Sequence, residues 1–129
     1  MDSLTKKEIR RIIDSYNVTG PVWKSNDSFH SGEYHLVKRK RRNEIPEDWD
    51  LRDYDNLILK IMNNLENEIH LYYLIGFMQE YIVFDDGKWM VIVGKDKVME
   101  TCMFRKNTSS YLKSEDGYNY LGKVREVFE

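Results

Sequence analysis

Five consecutive cations, Lys38 to Arg42, follow His35 in the stretch YHLVKRKRRNE, and a second basic pair, Arg105 and Lys106, follows Thr101 in TCMFRK. These residue types suit the cleavage of a phosphodiester without a metal. One group must take the proton of a ribose 2′-hydroxyl, another must protonate the leaving oxygen, and cations must steady the phosphorane charge. Histidine fills the first two roles because it titrates near neutral pH, and arginine or lysine fills the third. His35 and His30 are therefore the candidate acid/base residues, Arg39 and Arg105 the candidate phosphate clamps, and Thr101 the hydroxyl that orients substrate. Lys38, Lys40, Arg41, Lys106 and Tyr111 are candidate RNA contacts. His70, as an isolated histidine, reads first as a surface or hydrogen-bonded residue.

Other chemistries find less support. Zinc and iron sites want two or more Cys or His at short fixed spacing, and the chain offers one cysteine and three scattered histidines. The acidic groups of EDWD (Glu47 to Asp50) and of Asp85-Asp86 are accounted for by helix capping and a hairpin turn, so no metal and no cofactor is expected. There is no G-x-S-x-G elbow, no P-loop and no G-x-G-x-x-G. Cys102, between Thr101 and Met103 in a strand, reads as a small buried hydrophobe.

The charge is unevenly spread. Residues 1–42 hold ten Lys/Arg against five Asp/Glu, whereas residues 43–129 hold ten against seventeen, which together give the net −2. A local positive field on an acidic chain attracts phosphate while the rest repels it. The length of 129 residues suits one domain. No apolar run approaches the ~20 residues of a membrane span, the N-terminus lacks the pattern of a secretory signal, and a lone cysteine makes no internal disulfide. A cytoplasmic address is the expectation.

The candidate residues need elements to hold them. Thr5 and Glu8 form a T-x-x-E capping box with Leu4 and Ile9 as its staple, and Ile9, Ile12, Ile13 and Tyr16 share one helical face. A helix over about Lys6–Tyr16 follows, ended by NVTGP. Residues 22–50 read as irregular, with a polar loop KSNDS and a strand or short helix through Tyr34–Val37. An apolar stripe from Leu51 through Tyr54, Leu57, Ile58, Ile61 and Met62 to Leu65 predicts a helix over about Asp53–Asn63. From Ile69 the pattern turns to β-branched and aromatic runs, with DDGK and GKDK as hairpin turns. The expected architecture is α+β, a single domain in which N-terminal helices pack on a four-stranded antiparallel meander. A polar loop and a short helix or final strand complete the chain.

The order of these pieces resembles the barnase, EndoU, colicin-nuclease and RelE superfamily of small ribonucleases, in particular its phage-associated branch. The resemblance covers roughly residues 22–113. It rests on the histidine with its basic run, the helix YDNLILKIMNN, and the meander ending in METCMFRKNTSSYL. It implies RNA cleavage without metal by a His, a cation and a hydroxyl residue clustered on the sheet face. His35 with Arg39 match the family's early His-x-x-x-basic pair, and Thr101 with Arg105 match its late-strand hydroxyl and basic positions. The implied activity is that of a toxin-like or phage-effector endoribonuclease acting on tRNA or mRNA, with an antitoxin or immunity protein as partner. The competing expectation is a non-catalytic interaction protein, a phage-encoded inhibitor or immunity-type protein, that binds a basic protein or RNA.

Overall fold

A computed structural model of the chain describes residues 1–74, 76, 78–105 and 114–129. The first helix, α1, spans Ser3–Thr19 and so extends the expected segment at both ends. Its cap is Asp2, whose carboxylate accepts the Thr5 amide at 2.8 Å, so Thr5 already lies in the first turn and the box at Thr5 is bypassed. Leu4 is 66% exposed while Ile9 is buried, which leaves the expected staple unmade. Gly20 closes the helix at φ 80°, its amide bonded to the Tyr16 carbonyl at 2.7 Å, a conformation glycine adopts without steric cost.

Residues 22–50 are more ordered than their pattern suggests. A two-residue hairpin, β1 (Ser25–Asn26) with β2 (Phe29–His30), replaces the polar loop. Helix α2 follows over Ser31–Arg41 and takes in His35 and most of the basic run. Four cations in its last turn complement the partial negative charge of a helix C-terminus. The helix ends in a Schellman turn. Asn43 sits at φ 56°, its amide reaches the Lys40 carbonyl, and the Glu44 amide reaches the Arg39 carbonyl. Helix α3, Leu51–Asn63, carries a reciprocal capping box between Asp50 and Asp53 and buries Tyr54, Ile58, Ile61 and Met62. Leu65 falls beyond it and is half exposed.

The sheet has five strands, not four: β3 (Glu68–Leu74), β4 (Gln79–Asp85), β5 (Trp89–Gly94), β6 (Met99–Phe104) and β7 (Tyr118–Lys123). They are ordered β6-β5-β4-β3-β7, and every neighbouring pair is antiparallel. The meander β3–β6 is as its turns imply. The fifth strand returns to the far edge and pairs with β3. A last helix, α4 (Val124–Val127), follows directly.

One face of the sheet meets the helices. Ile69, Ile82, Phe84, Val91, Val93 and Cys102 pack there against the apolar faces of α1 and α3, with Val124 and Val127 of α4 in the same cluster. Two tyrosine hydroxyls tie helices to this layer: Tyr16 donates to the Lys97 carbonyl and Tyr54 to the Cys102 carbonyl, both at 2.5 Å. Burial of such aromatic residues supplies both area and a polar anchor. The outer edge of β6 is met at its first residue by Trp23, in a parallel bridge to Met99, which covers the start of that edge. No helix among the described residues is long and apolar enough to cross a membrane.

Candidate functional site

Helix α2 packs against β6, so the basic segment does face the TCMFR strand. Residues four apart share a helix face, and for His35 and Arg39 that face points inward. His35 Nδ1 lies 3.3 Å from the Thr101 hydroxyl. Its ring stacks on Trp23 at 5.8 Å between centroids, and Trp23 in turn stacks on Tyr54 at 5.8 Å. Tyr34 meets the same imidazole edge-on. Burial, with Arg39 and Lys38 adding like charge, pushes the His35 pKa down to about 4. A base of that strength is poorly matched to proton transfer near neutral pH.

Arg39 is 2% exposed. Its Nη1 donates to both oxygens of Glu44 at 3.1 and 3.2 Å, and Glu44 Oε1 also accepts the Phe104 amide at 3.0 Å. The Schellman turn is what delivers Glu44 to this position. The pair therefore ties the end of α2 to the end of β6 and offers no face to a phosphate. Arg105 is engaged elsewhere. Its Nη1 donates to Asp85 Oδ2 at 2.9 Å, on the side of the sheet away from the helices. Four residues of extended chain separate it from Thr101, about 13 Å. The structure thus brings His35 to Thr101 but does not assemble His35, Arg39, Thr101 and Arg105 around one open space. Lys106 and Tyr111 lie outside the described residues.

The open face of α2 carries a different set. Tyr34, Val37, Lys38 and Arg41 recur at i, i+3, i+4 and i+7, one helical stripe, and they line a groove of about 470 Å³ with Ser28, Phe29, His30 and Glu33. Phe29 and Tyr34 are 47% and 51% exposed, their rings 5.9 Å apart and tilted by 51°. Lys38 Nζ stands 6.0 Å from the centre of the Tyr34 ring. His30 caps α2 by accepting the Glu33 amide on Nδ1 at 3.3 Å, so the proton of its neutral ring resides on Nε2. Lys40 is partly buried on the adjoining face. Sequence reasoning named His30, Lys38 and Arg41 but missed Phe29, Tyr34 and Val37. The signal that finds Tyr34 and Val37 is the 34/37/38/41 spacing, which appears once the segment is read as a helix; Phe29, on β2, has no such signal.

Comparison with known proteins gives no relative: no family model, curated protein or solved structure matches the chain.

Proposed function

We propose that the chain binds single-stranded RNA in the groove between the β1–β2 hairpin and α2. The observation that carries this reading is the exposed aromatic pair Phe29 and Tyr34 beside Lys38 and Arg41. Aromatic faces stack unpaired bases, and cations alongside them hold the backbone. The concentration of positive charge in residues 1–42 supports the same reading, because it gives an acidic chain a local field that draws in phosphate.

Cleavage by the His35 set is not part of the proposal, since His35 is weakly basic and both arginines are held by carboxylates. The nuclease reading keeps one specific support, His30 on the groove wall next to Lys38 and Arg41. Anisotropy titrations of labelled RNA oligonucleotides test the binding directly. Affinity is expected to fall with added salt and to fall further in a Phe29→Ala/Tyr34→Ala double variant. Absence of binding at low salt, or binding indifferent to both aromatic residues, refutes the proposal. Incubation of total RNA in EDTA separates the two readings: intact RNA fits binding alone, whereas 2′,3′-cyclic phosphate ends lost in His30→Ala restore the nuclease reading with His30 in its catalytic set.

A further inference from the structure

Strand β3 turns Ile69 into the helix-side core and places Glu68 and His70, two residues apart, on the opposite face. The antiparallel register sets Asp85 of β4 directly across from Glu68. Like charges facing each other across a ladder are destabilising, and Asp85 is only 4% exposed. The cations nearby answer this in part. Arg105 bonds Asp85 Oδ2, and Lys123, the β7 partner of Glu68, bonds Glu66 at 3.2 Å.

His70 is the unanswered member. It is 5% exposed, and among the described residues neither ring nitrogen has a hydrogen-bond partner. Its Nε2 stands 3.5 Å from Glu68 Oε1, close enough to pair if the ring is protonated but not a hydrogen bond. A buried polar group left in this state costs about 1–3 kcal/mol. One donor atom each from Glu68, His70 and Asp85 lie within 4.8 Å of one another. A register shift opposite His70, with Gly122 at φ 138°, kinks β7 at the same place.

We propose that Glu68, His70 and Asp85 form a binding site for a divalent first-row transition cation such as Zn²⁺. One imidazole nitrogen and two carboxylate oxygens are a donor set such ions accept. Tetrahedral ligands at ~2.1 Å stand about 3.4 Å apart, so closure asks for shifts of about an ångström. Glu68, with its side chain 46% exposed, has that freedom. Asp85 Oδ1 accepts the Gly87 amide and Oδ2 accepts Arg105, which leaves each oxygen a second lone pair. A polar pocket of about 300 Å³ adjoins Glu68 and Asp85 and gives room for a water as the remaining ligand. The ligands come from two strands, which is why motif spacing does not display them. The site shares no residue with the groove on α2 and stands whether or not RNA binds there.

The test uses tag-free full-length protein stripped with EDTA and titrated with Co²⁺ and Zn²⁺. A visible Co²⁺ absorption band saturating at one equivalent is expected, together with a melting temperature that rises with Zn²⁺. Glu68→Gln and His70→Gln should each weaken Zn²⁺ binding at least tenfold. If the buried His70 change prevents folding, the half-exposed Glu68→Gln decides alone. A wild-type chain with neither band nor thermal shift, or a Glu68→Gln chain that binds as tightly as wild type, overturns the site.

Discussion

Removing the Arg39 guanidinium strands Glu44, whose side chain is 7% exposed and whose Oε1 also holds the Phe104 amide. Breaking a buried ion pair from one side typically costs about 3–5 kcal/mol, because an uncompensated charge remains. Arg39→Ala is therefore expected to lower stability by that amount in urea unfolding. A folded, equally stable Arg39→Ala protein with impaired RNA binding would instead return Arg39 to the role of phosphate clamp. His35 makes a pH prediction. Its folded pKa, about 4, lies below the usual 6.5, so the unfolded chain binds more protons between those values. Stability from the neutral ring is full above about pH 6.5 and is lost as pH falls toward 4. The shift converts to ~3 kcal/mol, and allowing for the half-buried position about 1–2 kcal/mol remains. His35→Gln should flatten the slope of stability against pH over this window, with His70, whose pKa burial also lowers, supplying what slope persists. At this scale the sequence names His35 and Thr101 from two separate segments that the structure sets 3.3 Å apart. It misjudged Arg39, because a guanidinium in a basic run reads as surface and only Glu44, brought back by the turn at Asn43, makes its burial affordable.

Helices α1 and α3 were legible because their apolar stripes are long and their ends carry caps, even though Asp2 took the capping role expected of Thr5. Helix α2 was not. Its inward face holds only Leu36 as a buried apolar side chain, alongside Gly32 and Arg39, so no stripe announces it. Gly32 is where the helix comes closest to its support: a Cβ there would meet the Trp23 ring at 2.8 Å and the His30 ring at 2.9 Å. Alanine is a better helix former than glycine by about 1 kcal/mol, yet overpacking of this kind costs about 1–3 kcal/mol. Gly32→Ala is expected to lower the melting temperature and, by displacing His30 from the groove, to weaken RNA binding as well. A stabilised Gly32→Ala chain would show that α2 is free to move away from Trp23. On the outer face, Lys38→Gln should reduce the slope of log affinity against log salt by about 0.7, the share of one phosphate contact on a single strand. Tyr34→Ala should cost about 1–3 kcal/mol of RNA binding energy.

Part of the meander is legible in the sequence because β4 to β5 and β5 to β6 are joined by turns whose residues name themselves: Gly87 at φ 94° in the first, Lys97 at φ 72° beside Asp96 in the second. Strand β7 carries no such signature. Its residues, YNYLGK, include a glycine and two exposed positions, Asn119 and Tyr120, and its partner β3 lies far back in the chain. Its register with β3 and the burial of Val124 and Val127 make the C-terminus part of the core all the same. Without β7, one ladder of β3 loses its hydrogen bonds, and without α4 the base of α1 loses two apolar neighbours. A chain ending at residue 117 is therefore expected to lose cooperative unfolding, with exposed apolar surface detected by dye binding and rapid proteolysis. If a four-stranded main sheet and helices α1 to α3 suffice, the truncated chain instead melts in one sharp transition with its RNA affinity intact. That result would confine the role of β7 to the His70 face, since Lys123 and the kink at Gly122 border Glu68 and His70. Zn²⁺ titration of the truncated chain would then separate the sheet's contribution to folding from its contribution to the site.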